Sequence, residues 1–320
     1  YLPAMPAMTA ALGADVGAMP LTLSSYLAGF AVFHLACCPL EDRYGRRPVL
    51  LAGTGLFVIS CVGCSLSVSV EQLLGFRFLQ GIGACVGPTL ARAVTRDVFG
   101  PVRAARALSL IAMMMALAPA VAPTLGGIML LTFPWPSIFL FLAAYGGVMI
   151  LLVARLLEES LPQRQSLHPL MILRNYRELV ANPVFITVTT ASGLTYACLM
   201  AYLSSSSFIY ITLLGVPVEL FGLIFLSGVI GYVAGSGISA RLSVRHDSEQ
   251  VMALGIGLAL LAAITLWLSG SLFPHSVAAL VLPMTVYTTA IGLSLPHAMA
   301  IALRPFPHIA GTASALSLIH

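Results

Sequence analysis

The chain has no lysine, and all fifteen of its basic residues are arginine. Charge of either sign is scarce. Asp, Glu, Lys and Arg make up 8% of the 320 residues, where soluble domains carry about a quarter. So few charges cannot cover a surface that faces water, which excludes a soluble globular domain. The eleven acidic residues avoid the interiors of the apolar runs, so no titratable carboxylate is expected within the membrane. His, Cys, Asp and Glu do not cluster at ligand spacing, which argues against a metal site and against an intramembrane enzyme. No basic face with interleaved aromatics accompanies the net charge of +4, so nucleic acid is not an expected partner. No cleavable signal peptide is visible. The cysteines (Cys37, Cys38, Cys61, Cys64, Cys85 and Cys198) all lie in apolar runs. Cys61 and Cys64 form a C-x-x-C, but no nearby basic group lowers a thiol pKa there. They are read as small packing residues.

What is present is apolar. Hydrophobic residues make up 59% of the chain. They gather into runs of about 20 residues, the length that crosses a bilayer as helix. Runs at 21–40 and 49–68 contain no Asp, Glu, Lys or Arg, and His34 is their only histidine. Between them lies Cys38-Pro39-Leu40-Glu41-Asp42-Arg43-Tyr44-Gly45-Arg46-Arg47-Pro48, a charge-dense turn. Asp42 and Arg46 are spaced to pair on a helix, Gly45 permits a backbone that a Cβ would forbid, and Pro48 suits a first helical turn. Further helices are predicted at 71–94, 108–131, 138–157, 184–209, 221–240, 251–268 and 277–302. A turn carrying Arg96, Asp97, Arg103 and Arg106 is predicted between the helices at 71–94 and 108–131.

Threading these spans alternately puts Arg43, Arg46, Arg47, Arg96, Arg103, Arg106, Arg164, Arg174, Arg177, Arg241, Arg245 and Arg304 on one side. Arg92 and Arg155 are at helix ends facing it. That side is the cytoplasm by the positive-inside rule. Turns at Arg46 and Arg245 repeat about 200 residues apart, as do those at Arg103 and Arg304, and an internal repeat of transporter halves gives such spacing. The predicted organisation is an amino-terminal helix bundle at 1–157, a polar cytoplasmic linker at 158–182 and a carboxy-terminal bundle at 183–320. The period also implies that the sequence is truncated at both ends, with helix 1 mostly absent, helix 11 present in part and helix 12 absent.

The loop at residues 38–47 resembles the G-x-L-x-D-R-x-G-R-R signature of the major facilitator superfamily, with Cys38 in place of the first Gly. The resemblance implies an all-α membrane protein of two six-helix bundles. It also implies a switch loop of Asp42, Arg43, Gly45, Arg46 and Arg47, in which Asp42 caps a helix of the other half that would begin at Gly311 and Thr312. Arg77-Phe78-Leu79-Gln80-Gly81-Ile82-Gly83-Ala84 is similar to the R-x-x-Q-G-x-G-A motif of proton-coupled facilitators and gives Arg77 a part in proton coupling. Arg77 lies about 9 Å into its helix, where a guanidinium must be paired, face water or snorkel to the headgroups. Pro119, Ala122, Pro123, Gly126 and Gly127 resemble the antiporter motif ending G-P-x-x-G-G, which marks exporters, with Ala122 for its first Gly.

Residues 90–97 and 303–315 resemble bicyclomycin/chloramphenicol resistance (Bcr/CflA-type) exporters. In that family an aspartate commonly precedes the Tyr-Leu-Pro seen here at Tyr1–Pro3. The resemblance implies a multi-pass drug:proton antiporter of the bacterial inner membrane. Its partners would be amphipathic drugs such as chloramphenicol or bicyclomycin, protons and lipid. It would act as a monomer, with no cofactor beyond the proton gradient. Tyr26, Gln80, Met113, Tyr196, Met200, Tyr202, Tyr287 and His297 are the candidate cavity residues. Aromatics and adaptable thioethers suit variable apolar ligands. A facilitator for a metabolite or nutrient on the same fold is the alternative reading, and a non-transporting truncated product is a third.

Overall fold

A computed structural model describes residues 1–161 and 169–306. It is helical throughout, and no strand occurs among the described residues. After a 3₁₀ turn at Leu2–Ala4 come α1 (Met5–Leu12), α2 (Met19–Tyr44), α3 (Arg46–Ser65), α4 (Val70–Thr132) and α5 (Pro136–Leu156). Then follow α6 (Pro169–Ala181), α7 (Pro183–Ser207) with a π-helical extension at Phe208–Leu213, α8 (Phe221–Leu242), α9 (Ser248–Leu272) and α10 (Val277–Leu303). Eight spans among the described residues are long and apolar enough to cross a membrane. In hydrocarbon every backbone polar group must be paired within its own segment, which a helix achieves and an isolated strand does not.

Two boundaries differ from the sequence expectation. α2 continues through Asp42 and Arg43 to Tyr44, so the turn before α3 shrinks to Gly45, which has φ +105°. The expected turn at Arg96–Arg106 is also absent. The backbone remains helical from Val70 to Thr132, about 95 Å of helix at the usual rise. That is about three times the hydrocarbon thickness, so α4 is not one span. Its apolar portions are Val70–Phe99 and Val121–Thr132. The charges there suggested a break; Arg103–Ala107 favour helix while Gly100 and Pro101 disfavour it, and the backbone stays helical through both.

The chain separates into two compact units. The first contains Tyr1, Pro3–Met115 and Ile128–Pro169. In it α3 packs on α5 and on α2, and α2 crosses α4 at backbone contact. A Cβ on Gly81 would overlap the Tyr26 carbonyl oxygen, and one on Gly29 would overlap that of Phe78. Glycine at both helices is what lets them touch, as small residues do where membrane helices meet. The second unit contains Leu2, Ala116–Gly127 and Leu170–His320. Its centre is α10, which packs against α7, α8 and α9 and buries Met284, Tyr287, Ala290 and Ile291 with Ala259 and Ala262. The polar stretch expected as linker contains α6, whose Leu179 is buried against Phe185, Ala302 and Phe306. Residues 307–320, with Gly311 and Thr312, lie outside the described residues.

Candidate functional site: a caged arginine and a charged loop

α4 begins with a reciprocal cap. Ser69 Oγ accepts the Gln72 N–H at 3.3 Å, and Gln72 Oε1 accepts the Val68 N–H at 3.1 Å. This fixes the start of the helix and carries Arg77 inward. Arg77 is only 5% exposed, so it does not snorkel. Its guanidinium carbon sits 4.2 Å from the centre of the Tyr1 ring and 4.5 Å from that of Tyr26. Nε donates to the Thr22 carbonyl oxygen at 3.4 Å, and Nη1 donates to Gln80 Oε1. Gln80 in turn donates from Nε2 to Cys61 Sγ at 2.9 Å. The Tyr1 hydroxyl bonds Thr22 Oγ1, which donates to the Met19 carbonyl at 2.6 Å. Among the described residues no carboxylate pairs with Arg77. Two π faces and neutral oxygens hold the cation, a contact worth about 2 kcal/mol or more when desolvated.

This cage joins three residues named from sequence, Arg77, Tyr26 and Gln80, because Gln80 follows Arg77 by three residues and Tyr26 faces α4. Sequence reasoning missed Tyr1, Thr22 and Cys61. Thr22 precedes Tyr26 by four residues, and that helical spacing is a signal for it. Nothing local points to Tyr1 or Cys61.

At the other end of α2, Arg46 is the hub of the loop. It meets Glu41 at 2.7 Å, Asp42 at 3.2 Å and Asp97 of α4 at 3.2 Å. Glu159 accepts the backbone N–H groups of Arg46 and Arg47 at 2.9 and 3.4 Å, placing an anion at the amino end of α3. Its carboxylate occupies the space that a Cβ on Gly45 would need. Arg47 Nη2 donates to the Ala154 carbonyl at 2.6 Å, and Arg43 lies over the Tyr44 ring. Asp42 is thus engaged with Arg46, and the helix it was expected to cap lies outside the described residues. Glu41, Asp97 and Glu159 are site residues that sequence reasoning did not assign.

Three carboxylates around one guanidinium leave an excess of negative charge, and Glu41 is the most buried of them. Burial pushes its carboxyl up to about 7, with Arg46 pulling down and Asp42 and Asp97 adding to the rise. A carboxyl raised above its unfolded value stabilises the fold fully below that unfolded value, and the gain is lost as pH rises through the folded one. Glu41 therefore contributes stability at about pH 4.5 that disappears by about pH 7.5. Glu41→Gln, which mimics the protonated acid, is expected to raise the melting temperature by a few degrees at pH 8 and to change little at pH 5, measured by intrinsic fluorescence in detergent.

In the second unit Pro123, Gly126 and Gly127 are buried, while Pro119 and Ala122 are exposed. A Cβ on Gly127 would come within 2.5 Å of the Val218 carbonyl oxygen, so this motif receives the start of α8 closely. The Tyr202 hydroxyl bonds that of Tyr210 at 2.6 Å, and the Tyr287 hydroxyl donates to the Thr195 carbonyl at 2.7 Å. Tyr202 packs on the cluster around Tyr287. Tyr196 and Met200 are half-buried on α7. His297 is buried, with Nε2 3.3 Å from Ser243 Oγ. The side chain of Met113 lies outside the described ones. A small crevice between α7 and α10 is lined by Thr189, Ser192, Leu295 and Met299 among others and by none of the predicted cavity residues.

The sequence matches the Major Facilitator Superfamily over residues 1–319. The chain belongs to this family. It is a multi-span membrane transporter and not an enzyme. It is 32% identical to the uncharacterized MFS-type transporter YdgK of Bacillus subtilis, over 99% of this chain and 79% of that protein. It is 30% identical to the multidrug resistance protein MdtL of Escherichia fergusonii, over 98% of this chain and 78% of that protein. Among solved structures it resembles a bacterial homolog of the human lysosomal transporter Spinster in an inward-facing, unoccupied conformation. The TM-score is 0.78 at 17% identity, covering 99% of this chain and 74% of that one. That likeness carries the fold alone.

Proposed function

We propose that the protein is a drug:proton antiporter that exports small amphipathic compounds of the chloramphenicol or bicyclomycin kind by alternating access. The observation that carries this reading is Arg77, a permanent cation buried in a span and held by two tyrosines and a glutamine. Such a group is costly in a membrane unless it serves transport. Aromatic faces beside it suit flat amphipathic ligands, and its fixed charge biases the protonation of any acid brought near. Resemblance to a multidrug resistance protein favours drugs over nutrients. The glycine- and proline-rich stretch Pro119–Gly127 favours export over uptake. The arginines of the loops orient the chain in a bacterial inner membrane with those loops in the cytoplasm. Protons supply the energy, no other cofactor is needed, and the working unit is a monomer.

Everted membrane vesicles containing the chain test this. With a lactate-generated proton gradient, addition of chloramphenicol is expected to release protons from the vesicle interior, read as dequenching of an internal pH dye. Chloramphenicol uptake should collapse with an uncoupler. Gradient-independent uptake, or no proton movement with either chloramphenicol or bicyclomycin, overturns the reading.

A further inference from the structure

One carboxylate oxygen in the charged loop is left unmet. Glu41 is 5% exposed, and its Oε1 meets Arg46 Nη1 at 2.7 Å. Its Oε2 is buried with no hydrogen-bond partner. An ionised oxygen without a donor is costly in such a place, and a proton on the carboxyl removes that cost. Glu41 lies beyond Cys37, where the membrane-crossing part of α2 ends. Its proton is therefore exchanged with the water at the loop, not across hydrocarbon.

The neighbours set the direction of the response. Asp42 follows on α2, Arg46 begins α3 and Asp97 lies on α4, and these charges act on Glu41. Glu159, beyond α5, covers the Arg46 and Arg47 amides, while Arg47 is bonded to the Ala154 carbonyl and Arg43 lies over Tyr44. Asp97 Oδ2 accepts from Arg46 Nε at 3.2 Å and from the Ser160 hydroxyl at 3.3 Å. The ends of α2, α3 and α4 and the segment after α5 thus meet around one guanidinium. Ionised Glu41 is repelled by Asp42 and Asp97, and the helix ends loosen. Protonated Glu41 leaves Arg46 to Asp42 and Asp97, and the ends close on it. Burial raises this carboxyl to about 7, so the closed loop is favoured in acid and the gain is lost as pH rises through that value. Glu41 lies about 18 Å beyond Gly29 along α2, so the backbone contact between α2 and α4 stays closed in both states.

We propose that Glu41 is a proton-sensing site at the cytoplasmic face that slows export when the cell interior turns acid, by drawing the ends of α2, α3 and α4 together around Arg46. This deepens the export reading above and rests on it, both for the proton exchange and for the side on which the loop lies. A conformational cycle runs more slowly when a face that must rearrange is held more tightly. Each turnover of a drug:proton antiporter brings a proton inward, so a brake at this site limits the acid load that export itself creates.

The first readout uses the full chain in lipid nanodiscs, without drug or gradient. Amide hydrogen exchange at Gly45, Arg46 and Arg47 is followed at pH 6 and pH 8, corrected for the intrinsic rate with an unfolded peptide of the same sequence. These amides bond the Glu41 carbonyl and the Glu159 carboxylate. A carboxyl titrating near 7 goes from about nine-tenths to about a tenth protonated over that range, so protection is expected to be at least about fivefold greater at pH 6. Glu41→Gln is expected to hold the pH 6 level at both. Equal protection at the two pH values in the unaltered chain, a result that needs no variant to fold, overturns the proposal. So does a Glu41→Gln protein that keeps the unaltered pH response. The second readout is chloramphenicol uptake by everted vesicles, whose medium bathes the cytoplasmic face. With the pH difference across the membrane held fixed, lowering the medium from pH 8 to pH 6 is expected to slow uptake at least about threefold in the unaltered chain and less than about 1.5-fold in Glu41→Gln. A parallel fall in both overturns the sensor. Absence of uptake at every pH overturns the export reading instead, and the exchange result, obtained without drug, still decides whether the loop responds to Glu41.

Discussion

Arg77→Lys is expected to lower proton-driven drug transport by at least about a hundredfold while the protein still inserts and folds. Lysine keeps the charge but loses the planar fork that lies between two rings and bonds two acceptors at once. In the structure those acceptors are the Thr22 carbonyl and Gln80 Oε1, with Tyr1 and Tyr26 on the faces. A shorter, more strongly hydrated ammonium cannot satisfy them together, and it pulls water into the cage. Arg77→Ala is expected to be worse, because Gln80 then remains buried at 1% exposure with its oxygen unpaired. The measurements are initial rates of chloramphenicol-driven proton release in everted vesicles, with size-exclusion profiles of the detergent-solubilised variants as the control for folding. Transport by a well-folded Arg77→Lys protein within a factor of three of the unaltered chain would remove this arginine from the mechanism.

Gly81→Leu is expected to abolish folding outright. A Cβ at position 81 overlaps the Tyr26 carbonyl oxygen and approaches the Phe30 backbone nitrogen, so α2 and α4 must separate along their whole crossing. Overpacking a well-filled site costs about 1–3 kcal/mol when side chains can yield. Here the obstacle is backbone, and a rigid-body shift also breaks the Ser25 hydroxyl bond to the Leu74 carbonyl, 2.8 Å long, and displaces Arg77 from Tyr26. The control lies on the same helix. A Cβ at Gly75 meets nothing, and Gly75→Leu is expected to be neutral or stabilising, since leucine outperforms glycine in a helix by about 1 kcal/mol. Thermal melts and membrane expression of the pair provide the comparison. Equal stability of the two variants would mean that α2 and α4 do not touch at Gly81.

The two variants separate what each glycine does, a distinction that sequence does not make. Both Gly75 and Gly81 appear in the run from Gly75 to Gly83 as small residues at a helix face. Only the crossing of α2 shows that one is pressed against a backbone and the other faces open space. The same holds for the charged loop. Asp42, Gly45 and Arg46 were evident from their motif, and Gly45 is the point at which the chain turns, at φ +105°. Glu159, 113 residues from Arg46 along the chain, is one of several charges near the end of α5. Nothing in its neighbourhood announces that it covers the first amides of α3.

Where the chain determines structure by itself, the reason is solvent. Hydrocarbon admits helices and rejects bare charge, so run lengths and arginine positions mark the spans, and the helices at α2, α3, α5 and α7–α10 lie where the apolar runs put them. The one internal arginine was visible for the same reason. What tertiary structure alone decided is partnership: the tyrosines that face Arg77, the threonine beside His34, and the carboxylate that lies deepest of the three around Arg46. Each depends on which helix face meets which across tens of residues of chain. Burial and hydrogen bonding act on atoms in space, and sequence order does not record that distance.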